Sequence, residues 1–118
     1  MSLVSKDIEY IEKIISDRKE AHGFYSKHSR TYDGFISMEG ATYKDGSLSK
    51  MHKELIAIGI SVRINCESCM EWHIKQALDD GATKEQVLEA IDVGIEMGGG
   101  PATVSSRFAM KVLEYYTS

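Results

Sequence analysis

Apolar residues recur every three to four positions along most of this chain, and that rhythm restricts it to packed α-helices. Stretches that alternate apolar and polar residues between turn signals, the mark of half-buried strands, are missing. A single proline, Pro101, interrupts 118 residues, so long helices are not broken from within. Ile8, Ile11, Ile14 and Ile15 predict an amphipathic helix from Asp7 to about Ala21, closed by Gly23. A shorter helix follows from Tyr32 to Tyr43 with Phe35, Ile36 and Met38. Beyond the turn residues Lys44-Asp45-Gly46-Ser47, a helix from Ser49 to about Val62 carries Met51, Leu55, Ile58 and Val62 on one face and Ile56 and Ile60 on the other. A helix apolar on two sides is enclosed by neighbours or by another subunit, so this one should be central. Asn65 is the expected N-cap of a helix from Cys66 to about Asp80, with Gly81 past its end. Thr83 and Gln86 form a capping-box pattern for the next helix, with Val87, Ala90, Ile91 and Ile95. Gly98-Gly99-Gly100-Pro101 then breaks the chain and opens a last helix through Val104, Phe108, Val112 and Leu113. The expectation is an all-α single domain of about six helices, since 118 residues support one core.

The chemistry is concentrated on the fourth of these helices. At about 100° per residue Cys66, Cys69, Met70, His73 and Ala77 share one arc, while Glu67, Ser68, Glu71 and Lys75 fall on another, more charged side. Two cysteines three positions apart close too short a loop to stabilise a chain of this size much, so a structural staple explains them poorly. A thiol must become a thiolate before it attacks a peroxide or a disulfide, and His73, one turn after Cys69, can accept its proton. The short connection at Arg63 to Asn65 folds the preceding helix against this one, bringing Glu54 towards His73 to fix its tautomer and stabilise the imidazolium. After Cys69 is oxidised, Cys66 is placed to resolve it into a disulfide. Cys66 is the rival nucleophile because it sits at the helix N-terminus, where free N–H groups favour a thiolate.

Glu54, eleven intervening residues, Cys66-Glu-Ser-Cys69, three residues and His73 together resemble the signature of the alkylhydroperoxidase D-like group of the carboxymuconolactone decarboxylase family. The run from Met97 to Ala102 is similar to the segment that many members carry before the final helix. The resemblance covers about Ser49 to Leu113. It implies an all-helical fold in which Glu54 and His73 relay a proton from Cys69 and Cys66 resolves. It also implies a homo-oligomer, a trimer or hexamer, without a tightly bound cofactor, reduced by an external dithiol such as lipoamide, with a peroxiredoxin or lipoyl protein as partner. Ser68 stands where the well-known enzymes often have histidine.

Other readings are set against this one. A zinc site would use Cys66, Cys69 and His73 with Glu54 or a water, although structural zinc usually draws its ligand pairs from knuckles or separate elements. A lyase like the decarboxylase branch would use His73 as acid or base and Arg63 or Arg107 to hold a carboxylate, but needs no thiols. A small redox-sensing module would need the cysteines without turnover. His22, His28 and His52 have no such company and read as solvent-facing or interface residues. A formal charge of −4 argues against a nucleic-acid footprint. Charged residues interrupt the first apolar stretch, and no run reaches the roughly 18 apolar residues of a membrane span, so the expectation is a cytoplasmic protein.

Overall fold

The apolar rhythm is realised in a computed structural model that describes residues 2–118, in which six helices and no strand are found. They are α1 (Ser5–His28), α2 (Arg30–Thr42), α3 (Lys50–Ile64), α4 (Glu67–Asp79), α5 (Lys84–Gly98) and α6 (Gly100–Thr117). Helix α3 packs against α4, α5 and α6, so it is central as its two apolar faces require. The core joins Ile58 and Val62 of α3, Met70 and Ile74 of α4, Val87 and Ile91 of α5 and Val112 and Leu113 of α6, with Ile11 of α1 sealing one side. One face of α3 remains open, with Ile56 and Ile60 about half exposed, at 51% and 55%. Val104, expected on the buried stripe of the last helix, also faces outward.

Helix α3 meets α5 where Gly59 faces Gly94. A Cβ on Gly94 would lie 2.5 Å from the Gly59 carbonyl oxygen and 2.9 Å from Val62 Cβ, so only glycine permits this approach of backbones. The α5–α6 joint is equally specific: Gly99 has φ +68°, ends α5 by donating its N–H to Ile95 O, and starts α6 just before Pro101. The Thr83–Gln86 capping box opens α5 as expected, with bonds of 2.9 and 3.1 Å.

Two boundaries differ from expectation. Helix α1 runs through Gly23 to His28, because one exposed glycine costs only about 1 kcal/mol and the following turn is joined by the Phe24–His28 ring contact at 4.5 Å. Ser29 ends it instead, in extended conformation, and its hydroxyl accepts from Tyr32 N–H to start α2. Helix α2 buries none of its residues, and among the helices its backbone approaches α1 alone. The second difference lies at the reactive corner. Asn65 is the C-cap of α3 in the left-handed conformation, φ 56° and ψ 49°, which asparagine tolerates better than most residues. Its amide therefore does not cap α4; Cys66 is the N-cap.

Candidate active site

The one-residue shift at that corner gives Cys66 a specific role in the backbone. Its Sγ accepts the N–H of Cys69 at 3.3 Å, so the sulfur occupies the place a serine or aspartate oxygen usually fills at a helix start. Aligned peptide dipoles and this donor both favour negative charge on Cys66. The two cysteines are joined in a disulfide, with both residues partly buried. Both sulfurs therefore lie at the first turn of α4.

One turn after Cys69, His73 is 12% exposed and its Nδ1 lies 2.6 Å from Oε1 of Glu54, which is 2% exposed. This is the contact expected between α3 and α4. A carboxylate at Nδ1 favours the tautomer that carries its proton there, which leaves Nε2 as the ring nitrogen not bonded to Glu54. The Tyr43 ring leans on the imidazole, with centroids 5.3 Å apart and planes at 34°. Its phenol is held protonated above its ordinary range, first by burial and then by the charges of Glu54 and Glu39.

The second oxygen of Glu54 is also engaged. Lys50 Nζ donates to Oε2 at 3.1 Å, to Gln76 Oε1 at 3.2 Å and to Asp80 Oδ2 at 2.6 Å. Burial pulls the Lys50 pKa down, but the bonds and charges of Asp80 and Glu54 outweigh it and raise the ammonium above its ordinary value.

Glu71 corrects the assignment of a charged outer face to α4, because it is 1% exposed. Its Oε1 lies 2.5 Å from Arg18 Nη2 of α1 without hydrogen-bond alignment, and its Oε2 accepts from the Tyr116 hydroxyl of α6. Arg18 also rests over Trp72, 5.0 Å from the ring centroid. Burial, that bond and the Glu71 charge push the Tyr116 phenol far above its ordinary value. This second buried carboxylate ties α4 to the two helices that carry its partners.

The structure thus brings Glu54 to His73 on the helix that carries Cys69 and is capped by Cys66. Lys50, Tyr43 and Glu71 were missed. Lys50 precedes Glu54 by four residues, a spacing that could have revealed it, whereas the neighbours of Tyr43 and Glu71 come from distant parts of the sequence. Arg63 and Arg107 are not brought to His73: Arg63 lines the groove between α3 and α5, and Arg107 a cavity with Tyr10, Asn65 and Phe108. His22, His28 and His52 are exposed, His22 bonding Tyr32 and His52 bonding Ser49, each at 2.7 Å. Among the described residues no three His, Cys, Asp or Glu side chains converge as metal ligands, and no helix is long and apolar enough to cross a membrane.

Comparison with known proteins gives this geometry a family. The model of the carboxymuconolactone decarboxylase family matches residues 30–112. An uncharacterised protein of Cupriavidus necator is 44% identical over 79 residues, covering 67% of this chain and 66% of that protein, just under two thirds of its length. An alkyl hydroperoxide reductase AhpD of Corynebacterium kroppenstedtii is 35% identical over 52 residues, 44% of this chain and 30% of that protein. A crystal structure of a carboxymuconolactone decarboxylase family protein from Legionella pneumophila superposes with a TM-score of 0.85 at 30% identity, covering 93% of this chain and 99% of that one. From the helical architecture and the extent of these matches, the chain belongs to the carboxymuconolactone decarboxylase family.

Proposed function

We propose that this protein is a thiol-dependent oxidoreductase that reduces hydroperoxides or disulfides through Cys69 and Cys66, with His73 and Glu54 moving the proton. The observation that carries the reading is the 2.6 Å contact of His73 with a buried carboxylate, on the same helix as a Cys-x-x-Cys pair able to form a disulfide. The similarity to a protein named alkyl hydroperoxide reductase supports it.

In the reduced enzyme the Cys69 thiol gives its proton to His73, and Glu54 holds the resulting imidazolium. The thiolate attacks a peroxide oxygen; the S–O bond forms, the O–O bond breaks, and the alkoxide leaves as an alcohol after taking a proton. Cys66 then attacks the sulfenic acid, forming the S–S bond and releasing water. With a disulfide substrate the first attack gives a mixed disulfide and one thiol, and Cys66 releases the second. An external dithiol such as dihydrolipoamide, free or on a lipoyl protein, returns two electrons, and a peroxiredoxin disulfide is a candidate substrate. Cys69 is the favoured nucleophile because its base is one turn away, while the N-cap position of Cys66 supports the reverse order. The reading includes self-association, a trimer or hexamer, through the open apolar faces of α3 and α5, where Ile56, Ile60, Val93 and Met97 border a groove of about 600 Å³.

The test is dihydrolipoamide-dependent consumption of hydrogen peroxide, an organic hydroperoxide and a small disulfide by wild type, Cys69→Ser and Cys66→Ser. Loss of turnover in both variants is expected. Unchanged turnover in both would sink the proposal. In the decarboxylase-type lyase reading the cations available to hold a carboxylate, Arg63 and Arg107, line other cavities, so no observation favours it.

A further inference from the structure

We propose that Lys50 is a positioning residue of the relay: it fixes the orientation and charge of Glu54, and through Glu54 it sets the pH at which His73 takes up a proton. This rests on the functional reading above only for its kinetic consequence. The geometric part stands on four polar contacts around two side chains.

Glu54 is buried with its two oxygens divided between two elements. Oε1 faces the imidazole of α4, and Oε2 faces the ammonium on its own helix, one turn earlier. A carboxylate bonded at one oxygen can still swing about its last torsion; bonded at both, with different partners, it cannot do so without losing a contact. Lys50 is itself held from the far side. Its bonds to Gln76 and Asp80 reach α4 and its C-cap, three and seven residues beyond His73. Its backbone N–H donates to Asp45 at 2.7 Å, which anchors the first turn of α3. The strap therefore fixes the spacing of α3 and α4 on the side where the relay crosses between them.

The charge effect has a definite sign. The groups facing the pair are His73 and Gln76 from α4 and Asp80 at its C-cap, Asp45 from the segment between α2 and α3, and Tyr43 with Glu39 from the α2 end. Among the described residues no ion pair joins Glu54 to α5 or α6. Lys50 is thus the cation seated on the relay carboxylate. Removing it leaves the negative field of Glu54 acting on His73 uncompensated, and the coupled pair holds its proton to higher pH. A unit charge across one carboxylate, at an effective dielectric intermediate between protein and water, moves such a titration by about one pH unit.

The experiment follows the His73 ring signal by NMR against pH in the dithiol protein, assigned with His73→Gln, for wild type, Lys50→Met, Lys50→Gln and Lys50→Arg. It is paired with the acid limb of kcat/KM for disulfide or peroxide reduction. The expected result is a midpoint raised by about one pH unit in Lys50→Met and Lys50→Gln, with return towards wild type in Lys50→Arg. If the methionine variant does not fold, the glutamine variant, which keeps a hydrogen-bond donor without charge, decides. An unmoved His73 midpoint in a folded neutral variant would overturn the proposal, as would a shift that arginine fails to reverse. Absence of turnover in the wild type would count against the oxidoreductase reading alone, because the NMR titration needs no substrate.

Discussion

Glu54→Gln keeps the shape of the relay and removes its charge, and its two effects can be estimated separately. The glutamine carbonyl can still accept the Nδ1 proton of His73 across the 2.6 Å contact, so the ring is not released. In the proposed mechanism what is lost is the anion that stabilises imidazolium, and the loss should lower kcat/KM by roughly 10²- to 10⁴-fold, the usual range for general acid–base assistance. The effect on stability is smaller than for an isolated buried pair, whose disruption costs about 3–5 kcal/mol. Lys50 retains Asp80 at 2.6 Å and is 32% exposed, so its charge is not stranded. A loss of about 1–3 kcal/mol is expected, seen as a fall in Tm of several degrees. Glu71→Gln supplies the contrast. It removes an equally buried carboxylate from α4 and leaves Arg18 against a neutral amide, so it should destabilise at least as much while kcat/KM stays within about threefold. The assays are reductant-dependent turnover under saturating dithiol and thermal unfolding on the same preparations. If Glu54→Gln retains kcat/KM within about threefold of wild type while Cys69→Ser is inactive, the relay is refuted. If Glu71→Gln loses as much activity as Glu54→Gln without unfolding, the division between the two carboxylates is wrong.

Brief peroxide treatment of Cys66→Ser, followed by dimedone trapping and mass spectrometry, should find sulfenic acid on Cys69; finding it only on Cys66 in the reciprocal variant would reverse the order of attack. Gly94→Ala should lower stability by about 1–3 kcal/mol despite the helix propensity of alanine, because its Cβ would meet a backbone oxygen at 2.5 Å; chemical denaturation would reveal the shift in midpoint. Ile60→Glu, on the open face of α3, should lower the mass measured by light scattering without changing the helical circular dichroism, and an unchanged mass would overturn the proposed self-association through this face. Asp7 is held below the usual carboxylate range by its 2.8 Å bond from Lys111, aided by the Val4 N–H. Its contribution is therefore present above the unfolded pKa near ~3.9 and lost as pH falls through the lower folded value, so the Tm difference between wild type and Asp7→Asn should close on acidification through that window.

Helices and their order were legible because each signal is local. Apolar spacing identified the buried faces of α3 to α5 and, except for Val104, that of α6; Thr83 with Gln86 marked a helix start, and the glycine run before Pro101 marked a joint. The arc shared by Cys69 and His73 was likewise a matter of 100° steps along one helix, whereas Cys66 precedes that helix as its extended N-cap; Glu54 was legible through its spacing to them. Where local signals competed, the sequence misled: Gly23 looks like a stop but lies inside α1, and Asn65 looks like a helix start but ends α3 with φ 56°. The tertiary structure alone decided which carboxylates are buried and what they meet. Glu71 and Lys75 fall on the same, more charged side of α4, yet Glu71 meets Arg18 and Tyr116, from helices far away in sequence, while Lys75 pairs with Asp79. The Lys50 bond to Glu54 is local to α3, but Lys50 is strapped across to Gln76 of α4 and Asp80 at its C-cap only because packing brings them beside it. Periodicity reports which way a side chain points from its own helix; its electrostatic surroundings depend on the neighbours that packing brings.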